Sequence, residues 1–335
     1  MAEDYFIIEH EGHIPHQNDA KEYKHYRDWK RFEIGVEGVM RMITADANMA
    51  RAVHEWFLNM GNEERPPEPE NSIRMMDEAG IDICCLVPHR QTVYMNVDPR
   101  GASMSWMLET CAKYPDRLIP APVFEPSTRG VETAIWELEY CAKEHGCNYG
   151  KIYPPGELWD INDRRYWPFY AKAEELGFML GMHIGHGYVY GANTRAGHPG
   201  HLEDICRDFY DLKILAFHFG WPWHHELNCL ASCYPNLHIG MSFLNATVLT
   251  RPRFFAKLLG EAIMYAGADK VIWSNDSIAH PPIVEGFRQF QFSEDLQQGY
   301  GFKPLTEEDR AKIFGLNMAR LLGIEPVKRA KPASK

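Results

Sequence analysis

A short apolar stretch near the N-terminus ends in several ionisable side chains. Residues 5–13 begin as an apolar run and then carry Glu9, Glu11 and His13 at alternate positions. Because side chains alternate between the two faces of a strand, Glu11 and His13 are expected to point the same way. A carboxylate and an imidazole that project together can bind a divalent metal. The pattern also fits a polar strand end in solvent, so this stretch alone leaves both interpretations open.

Other ionisable side chains stand at the ends of later apolar runs. These are Lys151, His183, His218 and Asp276. A single histidine inside an apolar strand is usually a hydrogen-bonded core residue. Carboxylates and imidazoles at the ends of several strands would instead converge on one point of a closed barrel, where burying them unpaired is costly. The pattern therefore predicts a metal site at which these side chains meet.

The elements that would position these side chains alternate regularly along the chain. Predicted strands cover residues 5–13, 81–88, 117–123, 148–153, 178–184, 213–219, 237–241 and 270–273. Predicted helices cover residues 46–62, 72–79, 101–114, 128–145, 163–176, 200–211, 223–234, 251–266 and 307–322. The strands are apolar on both faces, which is typical of a buried parallel sheet.

Eight such repeats predict an α/β fold, a single (β/α)8 TIM barrel. A doubly wound open sheet is the rival, but no glycine-rich phosphate loop follows the first strand. Long loops are expected after strands 1, 5 and 8, and the aromatic content of residues 14–45 favours an ordered cover over a site. One domain is expected over residues 1–326, followed by a basic, flexible tail over residues 327–335.

The composition excludes several classes of partner. The net charge of −11 over 335 residues argues against a nucleic-acid ligand, which needs a basic face. No apolar run approaches the roughly 18 residues of a membrane span. The acidic N-terminus is unlike a signal peptide, and the eight cysteines are expected to be reduced. These features predict a cytoplasmic protein.

The order of these residues resembles the amidohydrolase superfamily. The shared pattern is Glu-x-His on strand 1, a histidine on each of strands 5 and 6, and an aspartate on strand 8, together with segments 162–168 and 313–320. The chain is most similar to the amidohydrolase-2 group, which includes aminocarboxymuconate semialdehyde decarboxylase and the resorcylate and dihydroxybenzoate decarboxylases.

Two departures from the family pattern bear on the reaction. Most superfamily members carry Asp-x-His-x-His on strand 1, whereas this chain has Glu9, Glu11 and His13 at those positions. A Glu-x-His pair there is similar to the benzoate decarboxylase branch. Those decarboxylases tend to have an acidic residue shortly after the strand-6 histidine, where this chain has Trp221.

The resemblance implies a ligand set and a reaction. Glu11, His13, His183 and Asp276 would hold one divalent ion, for which Zn²⁺ is the first expectation and Mn²⁺ or Mg²⁺ are alternatives. His218 would act as general acid or base, oriented by Asp276. The favoured reaction is non-oxidative decarboxylation of a small carboxylated, possibly aromatic substrate. A hydrolase that uses a metal-activated water needs the same groups, and a binding protein that keeps the metal without turnover is a third possibility.

The substrate side of the site is less sharply defined. Lys151 could be the carbamylated lysine of two-metal family members, an anchor for a substrate carboxylate or part of a structural ion pair. His186, Arg90 and Trp221 are expected to contact the substrate, since they stand at or after the ends of strands 5, 2 and 6. Family barrels commonly associate, so we also expect a homodimer or larger homo-oligomer.

Overall fold

The structure is a computed structural model, and it describes residues 4–14, 37–38, 40–44, 48, 69–88, 103–187, 192–276 and 280–330. Its strands are β1 (Ile8–Gly12), β2 (Ile83–Leu86), β3 (Leu118–Pro120), β4 (Tyr149–Ile152), β5 (Met179–Met182), β6 (Ile214–Ala216), β7 (Leu237–Gly240) and β8 (Val271–Ile272). All neighbouring strands pair in parallel and in chain order, β1 to β3 in one sheet and β4 to β8 in another. A parallel bridge between Val123 and Lys151 joins the two sheets.

Helices follow the strands on the outside. They are α1 (Glu70–Ala79), α2 (Met104–Lys113), α3 (Pro126–Arg129), α4 (Val131–His145), α5 (Pro154–Glu157), α6 (Trp167–Glu175), α7 (Leu202–Asp208), α8 (His224–Cys233), α9 (Thr247–Thr250), α10 (Pro252–Ala266), α11 (Pro281–Gln289), α12 (Glu294–Tyr300), α13 (Glu307–Ala311) and α14 (Asn317–Leu322). A π-helical segment, Lys312–Leu316, joins the last two. The helix ends follow local chemistry, since α1 and α4 stop where Gly80 and Gly146 adopt a left-handed conformation. No described helix has both the length and the apolar character needed to span a bilayer.

The strand residues divide between two hydrophobic layers. In β5, Met179 belongs to a cluster that also contains Leu215 of the next strand and Phe217 just after that strand. Its neighbour Leu180 packs instead in the larger cluster that contains the inner faces of the helices. This alternation is what a closed parallel barrel requires, with one set of side chains inside and the other under the helices.

The first and last strands meet through side chains. The Glu9 carboxylate accepts a hydrogen bond from the Ser274 hydroxyl and another, of 2.7 Å, from the backbone N–H of Asn275. Burial raises the pKa of Glu9 well above its ordinary value, although these hydrogen bonds act in the opposite direction. Just beyond β8, the N–H of Trp273 donates to the carbonyl of Ile313 in the π-helical segment, at 3.0 Å. The π-helical segment therefore accepts a backbone hydrogen bond from the residue that follows the last strand.

The predicted α/β barrel is confirmed, with two differences in detail. The register of β1 shifts between Glu9 and Gly12, so the simple alternation expected for this strand is interrupted. The segment after β8, expected as a long loop, contains helices α11 and α12. Apart from residue 48, the predicted helix over residues 46–62 lies outside the described residues, and so does most of the loop over residues 14–45.

The beginning of the basic tail is bound to the start of β2. Asp82 is fully buried, and its carboxylate accepts hydrogen bonds from the N–H groups of Arg329 at 2.6 Å and Ala330 at 2.9 Å. It also accepts the N–H of Ile7 at 2.9 Å and lies 3.1 Å from the Lys328 ammonium. Residues 331–335 lie outside the described part of the chain, so the flexible tail stays a prediction there.

Replacing Asp82 should therefore destabilise the protein. We expect Asp82→Asn to lower the free energy of unfolding by about 1–3 kcal/mol, because an amide donor would face N–H groups that now donate to a carboxylate. Denaturant unfolding would measure the change. Asp116→Asn, at an exposed aspartate nearby, is the control and should change the free energy of unfolding by less than about 0.5 kcal/mol. Equal midpoints for the two variants would contradict the role of Asp82.

Candidate metal centre

The carboxylate of Glu11 lies buried at the end of β1 and forms an ion pair with Lys151 of β4. Its Oε1 contacts the Lys151 ammonium, which also lies 3.9 Å from the centre of the Tyr153 ring and 4.8 Å from that of Phe217. Burial lowers the pKa of Lys151 to about 7. The second oxygen of Glu11 is buried and has no hydrogen-bond partner among the described residues. This acceptor oxygen is a suitable ligand for a cation.

His13 is oriented by a backbone carbonyl. Its Nδ1 lies 2.8 Å from the carbonyl of Val87 and must donate to it, because a carbonyl can only accept. In the neutral imidazole, Nε2 then presents a lone pair toward Asp276, at 3.3 Å, and Glu11, at 3.7 Å. Two acceptors that face each other at such distances are stabilised by a proton or a cation between them. A metal-binding histidine commonly donates its other N–H to a carbonyl in this way.

Asp276 follows β8 in an unusual backbone conformation. Its φ is 62°, a region that aspartate and asparagine adopt more readily than most residues. Its N–H donates to the Ser274 hydroxyl at 3.1 Å, and Ser274 also bonds to Glu9. The contacts that join the last strand to the first therefore also position Asp276.

His218 and His183 form a chain of hydrogen bonds across β5, β6 and β7. Nε2 of His183 donates to the carbonyl of His186 at 2.9 Å, so its Nδ1 is the acceptor in the contact with Nε2 of His218, also at 2.9 Å. Nδ1 of His218 can then accept from the Ser242 hydroxyl at 3.1 Å. Burial lowers the pKa of His218 to about 3 and that of His183 well below its ordinary value. Both imidazoles are therefore neutral near pH 7.

The structure gathers the five predicted metal-site and acid/base residues. Ligand atoms of Glu11, His218 and Asp276 lie within 4.8 Å of one another. His13 contacts the two carboxylates, and His183 contacts the group through His218. The residues therefore fit a divalent ion in their donor chemistry. That His183 binds the ion while His218 acts as acid or base stays a prediction, because His218 also lies close enough to Glu11 and Asp276 to bind the ion.

Of the four predicted substrate residues, the structure brings two together, pairs a third with Glu11 and does not describe the fourth. The half-buried ring of His186 lies 5.7 Å from the ring of Trp221 and 6.1 Å from that of Phe243, so these three line one side of the histidine cluster, which is formed by His183 and His218. Lys151 is paired with Glu11, and its role as carbamylated lysine, substrate anchor or structural ion pair stays a prediction. Arg90 lies outside the described residues.

Sequence reasoning missed three residues around β7. Ser242 and Phe243 follow this strand, and the rule that chemistry sits where barrel strands end could have identified them. Phe243 also has a left-handed φ of 63°. Gly240 allows a close approach, because a Cβ there would lie 2.8 Å from Nε2 of the buried His10. Only the packing shows that requirement.

The protein is a parallel eight-stranded barrel in which carboxylates and imidazoles lie together at the strand ends. This arrangement is typical of barrel proteins with a metal site. Residues 24–324 match the amidohydrolase family, and the chain belongs to that family.

Several solved structures share the fold. An uncharacterised TIM-barrel protein from Bordetella bronchiseptica is similar with a TM-score of 0.65 and 20% identity, over 95% of this chain and 98% of that one. The 5-carboxyvanillate decarboxylase from Sphingomonas paucimobilis has a TM-score of 0.62 and 18% identity, over 95% and 99%. A dihydroxybenzoic acid decarboxylase from a Polaromonas species, with bound manganese and the inhibitor 2-nitroresorcinol, has a TM-score of 0.60 and 17% identity, over 95% and 96%.

Proposed function

We propose that this protein is a metal-dependent decarboxylase that acts on a small carboxylated aromatic acid. The observation that carries the proposal is the cluster of Glu11, His13, His218 and Asp276, in which carboxylate oxygens and imidazole nitrogens lie close enough together to bind one ion. Membership of the amidohydrolase family supports a metal at this place. The fold is shared with 5-carboxyvanillate and dihydroxybenzoic acid decarboxylases, and this likeness favours decarboxylation.

The metal would be held by Glu11, His13, His183 and Asp276. When bound, a divalent ion supplies positive charge that binds a substrate carboxylate and a neighbouring hydroxyl. Two carboxylates make the site harder than an all-histidine site, which suits Mn²⁺ as well as Zn²⁺. Manganese is present in the dihydroxybenzoic acid decarboxylase. The identity of the ion in this protein, Zn²⁺ or Mn²⁺, can be determined by metal analysis of the purified protein.

In this proposal His218 transfers the proton that the reaction needs. Decarboxylation of an aromatic acid requires a proton on the ring carbon that loses CO₂, and the neutral imidazole of His218 would relay that proton, giving one at Nε2 while Nδ1 takes one up. His218 is fixed by Ser242 on one side and His183 on the other. The rings of His186, Trp221 and Phe243 form an aromatic wall beside it, which suits a planar substrate.

A panel of substrates would test the proposed reaction. We expect the metal-loaded protein to release CO₂ from at least one hydroxybenzoate, and the product formed in D₂O to carry deuterium at the carbon that held the carboxylate. The family also contains hydrolases, so amides, esters and lactones belong in the same panel. Hydrolysis of one of these without CO₂ release from any acid would show that the metal-activated-water alternative is correct.

We also propose that the protein forms a homodimer and works in the cytoplasm. The outer helix α4 exposes Trp136 and Tyr140, whose rings stack at 5.5 Å, and Tyr210 and Tyr265 are exposed elsewhere. Exposed aromatic groups of this kind are common at contacts between subunits. All eight cysteines are free thiols, which suits a reducing compartment.

A further inference from the structure

A second group of metal-ligand side chains lies outside the barrel, between helices α8 and α10. His224 and His225 open α8, and Glu261 lies on the face of α10 that packs against it. Ligand atoms of these three residues lie within 4.8 Å of one another. They belong to neither the histidine cluster at the strand ends nor its hydrogen-bonded neighbours.

The buried carboxylate of Glu261 lacks a hydrogen bond at its inner oxygen. The Glu261 side chain is 9% exposed, and its Oε2 has no hydrogen-bond partner among the described residues. This oxygen lies 3.2 Å from Nδ1 of His225 and 3.5 Å from Nε2 of His224. A buried carboxylate oxygen in this position needs a positive partner.

The orientation of His224 indicates that the positive partner of Glu261 is a cation. Its Nδ1 lies 3.2 Å from the carbonyl of Pro222 and donates to it, so in the neutral ring Nε2 carries the lone pair, 3.5 Å from Oε2 of Glu261. Two acceptors facing each other repel unless a cation lies between them. A carbonyl that fixes the outer N–H of a histidine is also a common feature of metal-binding imidazoles.

The spacing matches a transition metal ion. Ligands bound to tetrahedral Zn²⁺ at about 2.0–2.1 Å lie about 3.3 Å apart. The two contacts of Glu261 with the histidines, at 3.2 and 3.5 Å, fall on either side of this value. Two imidazole nitrogens and one carboxylate oxygen form a ligand set that suits Zn²⁺ and its neighbours rather than Mg²⁺ or Ca²⁺.

We propose that His224, His225 and Glu261 form a peripheral binding site for a Zn²⁺-type ion that fixes the start of α8 to α10. His225 is exposed, so the ion would keep water on its open side. The start of α8 lies only a few residues after Trp221 and His218. A bound ion would therefore stabilise the connection that carries the candidate acid or base, without taking part in the reaction.

Metal stoichiometry would test this proposal. The metal-free protein, in a Cys229→Ser and Cys233→Ser background that removes the two exposed thiols on α8, would be reloaded with Zn²⁺ or Co²⁺, freed of excess ion and analysed. We expect a second ion per chain in this parent, loss of that ion in His225→Asn and Glu261→Gln, and its retention in Glu226→Gln. Glu226 is an exposed carboxylate beside His225 and serves as the matched control.

A melting-temperature measurement separates this site from the catalytic one. In Glu11→Gln, which removes a proposed catalytic ligand, added Zn²⁺ should still raise the melting temperature, and this rise should disappear when Glu261→Gln is added. The proposal is overturned if the parent binds no second ion at millimolar Zn²⁺. It is also overturned if Glu261→Gln and His225→Asn keep the ion, or if Glu226→Gln loses it. Because His225 is exposed, a folding defect in Glu261→Gln would leave the His225→Asn test valid.

Discussion

The His218→Asn variant is expected to turn over substrate about 10²–10⁴-fold more slowly than the wild type while keeping its metal. The expectation follows from the contacts of this imidazole. Nε2 of His218 points to His183 and Nδ1 to Ser242, so the ring is held in one orientation beside the two carboxylates. Asparagine keeps part of this polarity but cannot move a proton near neutral pH. The acid or base function would be lost, while the four proposed ligand residues remain.

Metal content and rate must be measured on the same preparations of the His218 variant. His238→Asn is a matched control, because His238 is also a buried imidazole but lies at the start of β7, away from the strand ends. That control should keep both metal and activity. If His218→Asn loses metal as fully as a carboxylate variant does, His218 is a ligand. If it retains full activity, His218 has no part in the mechanism.

The Asp276→Asn variant is expected to lose metal and activity together. Removing a charged ligand should reduce metal affinity by more than the roughly 10–100-fold typical of groups that only orient a ligand. Asparagine is the appropriate replacement, because it tolerates the left-handed φ of 62° that Asp276 adopts. Alanine there would add backbone strain and confuse loss of charge with loss of structure.

A second variant isolates the contribution of the charge at Asp276. Ser274→Ala removes the hydroxyl that binds the N–H of Asp276 and the carboxylate of Glu9, but it leaves both carboxylates in place. Its metal affinity should fall by about 10–100-fold, less than that of Asp276→Asn. Metal affinity measured by competition with a chelating dye would rank the variants. Wild-type metal affinity in Asp276→Asn would exclude Asp276 as a ligand.

The barrel could be predicted from the sequence because its signals are local. Each strand is a short apolar run, and glycines such as Gly80 and Gly146 mark where helices end. The convergence of Glu11, His218 and Asp276 could also be predicted, since the carboxyl ends of barrel strands meet at one rim.

Other features depend on contacts between distant residues. Gly240 is required by the nearby His10 ring, and the positive φ angles of His218 and Phe243 are set by the surrounding fold rather than by residue type. The clustering of His224 and His225 with Glu261 needs two helices to pack together, and sequence spacing cannot show such a contact.

The junction of the first and last strands has a consequence for how the protein is made. The ribosome releases β1 early, but Ser274 and Asn275, which bind Glu9, and Asp276, which completes the metal cluster, are synthesised near the end of the chain. Because a domain folds as a unit during synthesis, Glu9 lacks these partners until most of the protein has emerged, although Lys151, the partner of Glu11, is synthesised earlier. The proposed ligand set would be complete only at that point. With these ligands, selection among metal ions would be made by the completed barrel and not by the nascent chain.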